Sequence, residues 1–229
     1  MKPKFIQTNC TEGKHIDLQQ ADVVSRYRPD IIFFEMPAFN GNPSLIFNKY
    51  TPEKKPLIKV RQIKKNLRKD AKKYPYALSD IAVWENIEKL WSEGQNTLLF
   101  NIDGPKKLRA HRHELYGRIP YPALVRSWWF WAYQLMREIE MKENIESILR
   151  HYKAKKQPVV AVFLQSIHWD HVRFLLTHPS KRAIWKYYFG NFPKVTQKNI
   201  GALLKEKDHV LYRYWRKEFP KGFSARMVQ

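Results

Sequence analysis

The chain has 229 residues, 44% of them hydrophobic and 14% aromatic, with a formal net charge of +21 and a sequence pI near 10.0. This apolar content excludes a chain disordered throughout, and no apolar run approaches the ~18 residues that a membrane span needs. Cys10 is the single cysteine, which excludes an intramolecular disulfide and a zinc ribbon.

Met1-Lys2-Pro3-Lys4-Phe5 is basic but runs straight into polar Gln7-Thr8-Asn9, without the apolar core of a signal peptide. A cytoplasmic location is the expectation. Phe5–Asn9 reads as a short strand, followed by the polar turn Cys10-Thr11-Glu12-Gly13-Lys14-His15. Residues 16–28 show helical spacing through Ile16, Gln20, Val23, Val24 and Tyr27, and Arg28-Pro29-Asp30 ends that helix, because proline restricts the residue before it. Ile31-Ile32-Phe33-Phe34 is a continuous apolar run of the kind a strand buried on both faces shows. It runs into Glu35.

Residues 38–76 are rich in Pro, Asn, Gly and Lys and read as a basic excursion from the core, with a helix near 59–73. Leu78–Trp91 is amphipathic, closed by Glu93-Gly94. Thr97–Ile102 is the next strand and leads into Asp103. A long helix spans 123–150, and its Trp128-Trp129-Phe130-Trp131 cluster suits core packing. Val159–Leu164 is the last and clearest strand. It is followed by Gln165-Ser166-Ile167-His168 and a helix over 172–177. Two aromatic helices are expected in the remainder. The reading is an α/β protein with a mostly parallel or mixed central sheet flanked by helices. Residues 1–180 would form the core domain, and 181–229 a basic, aromatic helical extension.

Polar groups follow three of these strands: Glu12 and His15 the first, Glu35 the second, and His168, Asp170 and His171 the last. In open α/β sheets, ligands bind beyond the carboxyl ends of the strands. Imidazole with carboxylate is the donor set of a divalent ion such as Zn²⁺ or Mn²⁺, which would activate water or polarise a carbonyl. Cys10 near His15 allows a thiol–imidazole pair, but a small apolar residue at a strand end explains it as well. His111-Arg112-His113 reads as solvated surface, and no glycine-rich phosphate loop is present.

The order of these pieces resembles the TraB/PrgY family and its relatives, the Tiki-type peptidases and the ChaN and erythromycin-esterase-like proteins. Phe5–His15 followed by Tyr27-Arg28-Pro29-Asp30-Ile31-Ile32-Phe33-Phe34-Glu35 is similar to the opening strand, histidine motif, helix and strand-end glutamate of that group. Met136-Arg137-Glu138-Ile139-Glu140-Met141 resembles its Glu-Arg-Asp-x-x-Met helix, and Val159–His168 its closing strand and second histidine motif. The resemblance covers roughly residues 5–176. It implies a site of His15, Glu35, Arg137 and His168 with Asp103 nearby, and a metal-dependent hydrolase or peptidase. In that scheme His15, His168 and Glu35 hold the ion. Glu35, Arg137 and Asp103 take catalytic roles, while Glu12, Asp170 and His171 contact substrate.

Charge suggests another function. Residues 51–76 hold ten lysines and arginines against Glu53 and Asp70, and 181–229 hold twelve against Glu206, Asp208 and Glu218. Such asymmetry suits nucleic acid or another polyanion, with aromatics in Trp185-Lys186-Tyr187-Tyr188 and Tyr212-Arg213-Tyr214-Trp215 available to stack bases. A lysine-rich solvated surface would produce the same balance. A second copy of the chain stays among the candidate partners.

Overall fold

A computed structural model of the chain describes residues 3–7, 16–34, 64–65, 67–69, 77–103, 120, 123, 126–152, 157–164, 166–178, 180–192 and 197–219. In chain order the elements are β1 (Lys4–Gln7), α1 (Ile16–Tyr27), β2 (Ile31–Phe34), α2 (Ala77–Ser92), β3 (Leu98–Asn101) and α3 (Trp128–His151). They are followed by β4 (Val159–Phe163), α4 (Ser166–Thr177), α5 (Lys181–Phe189), α6 (Gln197–Lys207) and α7 (His209–Glu218). The protein is α/β, as its alternation of apolar runs and helical spacing requires. No helix among the described residues is long and apolar enough to cross a membrane.

Chain contacts divide into two compact units. The first comprises Met1–Asp103 and Asn144–Asp170, the second Gly104–Glu143 and His171–Gln229. The basic aromatic segment from 181 thus shares its unit with residues 104–143.

The first unit holds a four-stranded sheet in the order β1-β4-β2-β3, every pair parallel. The last strand in sequence therefore lies between the first and the second. Residues of β2 are all buried, which explains why Ile31–Phe34 carries no polar alternation. Val24 of α1 and Trp84 and Ile87 of α2 pack with Ile32, Phe34 and Phe163 in one core. Phe34 stacks on Trp84 (5.9 Å between centroids) and meets Phe163 edge-on at 5.3 Å. Of the helix expected near 59–73, residues 64–65 and 67–69 are helical. Leu67 joins the core, and Lys64 and Arg68 pair with Glu88 and Glu85 of α2.

Polar bonds secure the amino end of the sheet. Asp30 donates its N–H to Val159 O and accepts the Val159 N–H on its carboxylate, both at 2.8 Å, and its carbonyl accepts the Leu98 N–H at 2.9 Å. Arg28 has left-handed backbone (φ 45°) where α1 ends, and its guanidinium pairs with Glu93 at 2.7 Å. Gln95 Nε2 donates to Arg28 O and Pro29 O, and Thr97 Oγ1 to Pro29 O. Beyond α2, Gly94 takes φ 84° while the Gln95 N–H reaches Leu90 O and the Gly94 N–H reaches Trp91 O. This pair of bonds is the usual way a helix ends on a left-handed glycine.

The second unit is helical among the described residues. Leu135 and Met136 of α3, Trp185, Tyr188 and Phe189 of α5, Ile200 and Leu204 of α6, and Leu211 and Trp215 of α7 share a core. Trp128, Trp129 and Trp131 pack partly buried against it, and Phe130 is buried. Asp208 caps α7 through the Leu211 N–H (2.9 Å) and accepts the Trp129 indole N–H at 2.7 Å. The two aromatic helices expected here are α5 and α7, and a third, α6, lies between them in sequence. Gln197–Lys207 has no aromatic residue, which hid it from a reading keyed to aromatic clusters.

Candidate functional site

A parallel sheet sends all its strands out at one end. Because β4 lies between β1 and β2, with Gln7 beside Val162 and Phe34 beside Phe163, the chain leaves these three strands at neighbouring positions. Beyond β4, α4 begins at Ser166. The helix expected over 172–177 starts a turn and a half earlier, since neither glycine nor proline separates it from the strand. His168 thus lies in the first turn of a helix and is fully buried. Asp103, two residues past β3, is also buried, and the Asn144 amide donates to its neighbour Ile102 O at 3.1 Å. Asp170 is exposed.

Glu12, His15 and Glu35 lie outside the described residues, as do Cys10 and His111-Arg112-His113. In sequence, Glu35 directly follows β2 and His15 directly precedes α1. Among the described residues no three His, Cys, Asp or Glu side chains form a group able to hold a metal ion. Asp103, His168 and Asp170 belong to the first unit, while Arg137 and His171 belong to the second. Arg137 is buried in α3.

In the second unit His171 belongs to a buried cluster that the sequence reading missed. Its Nδ1 lies 2.9 Å from both carboxylate oxygens of Glu138, and the Tyr188 hydroxyl donates to Glu138 Oε2 at 2.5 Å. All three side chains are buried, Glu138 completely. Burial, and after it the Glu138 carboxylate that accepts its hydrogen bond, raises the Tyr188 hydroxyl well above its ordinary value of 10.0. Trp131, Tyr187 and Tyr188 surround the imidazole with ring centroids at 5.7, 5.3 and 5.3 Å. A signal for Glu138 did exist. It shares a helical face with buried Gln134, Met141 and Ile145, and a carboxylate on such a face needs donors.

This cluster holds an imidazole in one orientation by its Nδ1 edge, as orienting carboxylates do in catalytic and metal-binding histidines. It equally ties α3, α4 and α5 together through one carboxylate.

Comparison with known proteins adds no relative: no protein-family model, curated protein or solved structure matches the chain significantly.

Proposed function

We propose that the chain is a metal-dependent hydrolase, peptidase-like, with its site beyond the carboxyl end of the first unit's sheet. The observation that supports this reading is the insertion of β4 between β1 and β2. That order brings together the strand ends that precede His15, Glu35 and His168 in sequence. Kinship with the TraB/PrgY group is part of the same proposal. His15 and His168 would hold a divalent ion with Glu35 as further ligand or general base, and buried Asp103 would complete the acidic side. A zinc or manganese ion there would supply an activated water or a polarised carbonyl. The donor types fit such an ion.

Elemental analysis of the purified protein, with His15→Ala and His168→Gln alongside, tests the reading. About one divalent ion per chain is expected in the parent protein, lost in both variants while each retains a cooperative melt. A parent protein that takes up no ion after incubation with Mn²⁺ or Zn²⁺, or one whose ion survives both substitutions, would sink it.

A further inference from the structure

Aromatics in the second unit fall into two groups that the sequence does not separate. In Trp185-Lys186-Tyr187-Tyr188 the first and last rings are buried in the core, whereas Tyr187 is 41% exposed. Trp215 of α7 is buried as well. Tyr187 lies face to face with Phe174 of α4 at 4.1 Å and 12°, and Phe174 lies face to face with His178 at 4.3 Å and 11°. The result is a column of three nearly parallel rings, in which Tyr187 and His178, the two that flank Phe174 in the stacking, are both exposed.

Each ring is held. His178 Nδ1 lies 3.2 Å from Phe174 O and 2.9 Å from Thr177 Oγ1. Tyr187 meets His171 edge-on at 5.3 Å and 89°, and His171 is itself fixed by Glu138. An aromatic column ordered before binding loses little side-chain freedom when a flat ligand extends it.

Charge in the sequence around the column is mostly positive, and the nearest carboxylate in sequence is the exposed Asp170, one turn before Phe174 on α4. Residues 171–190 contain Arg173, Lys181, Arg182 and Lys186 and no carboxylate, and all four cations are exposed. Lys186 directly precedes Tyr187, and Arg173 directly precedes Phe174. Flat rings at the surface with cations as sequence neighbours are what a single nucleic-acid strand requires: a face for the base and positive charge for the phosphate. Duplex DNA hides its base faces and offers the column nothing beyond charge.

We infer that the Tyr187–Phe174–His178 column is a stacking platform for single-stranded nucleic acid, with Arg173, Arg182 and Lys186 contacting the backbone. This binding surface is independent of the hydrolase reading, since it uses none of the residues assigned there.

The test is fluorescence anisotropy with an end-labelled oligothymidylate, beside heparin and a DNA duplex as competitors that carry charge without open base faces. Tyr187→Ala should weaken oligothymidylate binding by about 5- to 150-fold and leave heparin competition unchanged. Tyr187→Phe should bind as the parent does, and Tyr27→Ala, which removes the exposed ring of α1, should have no effect. Lys186→Gln and Arg173→Gln should each lower the salt slope by about one phosphate contact. These two keep the test decisive if Tyr187→Ala melts early. Absent binding at low salt would overturn the inference. So would heparin or duplex competing as well as the strand itself, or a Tyr187→Ala variant that stays folded and binds like the parent.

Discussion

The carboxylate of Asp30 accepts the backbone N–H of Val159 at 2.8 Å, while the Asp30 N–H donates back to Val159 O at the same distance. One residue thereby fixes the start of β4 against the start of β2. Asp30→Ala leaves the Val159 N–H without its acceptor at a half-buried position, and about 1–3 kcal/mol of stability should be lost. Asp30→Asn keeps a carbonyl oxygen in place and should lose clearly less. Urea unfolding of the three proteins measures both, and equal midpoints for Ala and Asn would refute the acceptor role.

Tyr188 supplies a second test. Its hydroxyl is raised because the phenolate would be buried beside Glu138. A group raised in the folded protein stabilises the fold fully below its unfolded value, near 10.0, and the contribution fades as pH climbs through the folded value. Stability should therefore fall more steeply above pH ~10 in the parent protein than in Tyr188→Phe. Near neutrality Tyr188→Phe should cost about 1–3 kcal/mol, since Glu138 loses a donor. Parallel stability curves at alkaline pH would contradict this.

Glu218 shifts at the other end of the scale. Partial burial, and after it the Glu143 carboxylate, raises its carboxyl above the ordinary value, although Lys217, Lys181 and Lys142 oppose the change. The folded protein then favours the protonated form. The stabilisation is complete below the unfolded value, near 4.5, and disappears as pH rises through the folded one. Glu218→Gln, which stays neutral, should melt above the parent protein at pH ~7 and together with it below pH ~4. A gap that persists unchanged in acid would show that the carboxyl is not responsible.

Gly94 makes a backbone prediction. A Cβ added there would meet nothing within 4 Å, so the cost of a side chain is conformational alone. Gly94→Ala should lose about 1–2 kcal/mol, and Gly94→Asn less, because asparagine tolerates left-handed backbone. Equal thermal stability of the glycine and alanine proteins would mean that α2 ends differently.

How much of this could be read from residues alone depended on whether the pattern was local. Ile31–Phe34 and Val159–Phe163 announced themselves because a strand covered on both faces has no room for polar alternation. The start of α4 did not, because Gln165-Ser166-Ile167-His168 serves a loop and a helix equally well. Glu138 stayed hidden for a different reason: its partners His171 and Tyr188 are 33 and 50 residues away, and tertiary packing alone unites them. The same limit applies to Trp185-Lys186-Tyr187-Tyr188, where the aromatic count was plain but the outward ring was settled by the core that α5 joins. For the strand-end residues, the sequence showed polar groups following the first, second and last strands but carried no strand order; the seat of β4 between β1 and β2 is set by long-range pairing alone.

The position of β4 also governs when the sheet can exist. Among the described strands β1 pairs with β4 alone, so of these four strands the earliest made waits for the one made last. β2 and β3 can associate earlier, but they offer β1 no seat until Val159–Phe163 has been made and inserted. Long-range pairing of this kind slows folding and leaves strand edges open in the meantime. Until then β1 lacks the strand it pairs with, and a copy of these strands without β4 keeps at most the β2–β3 pair.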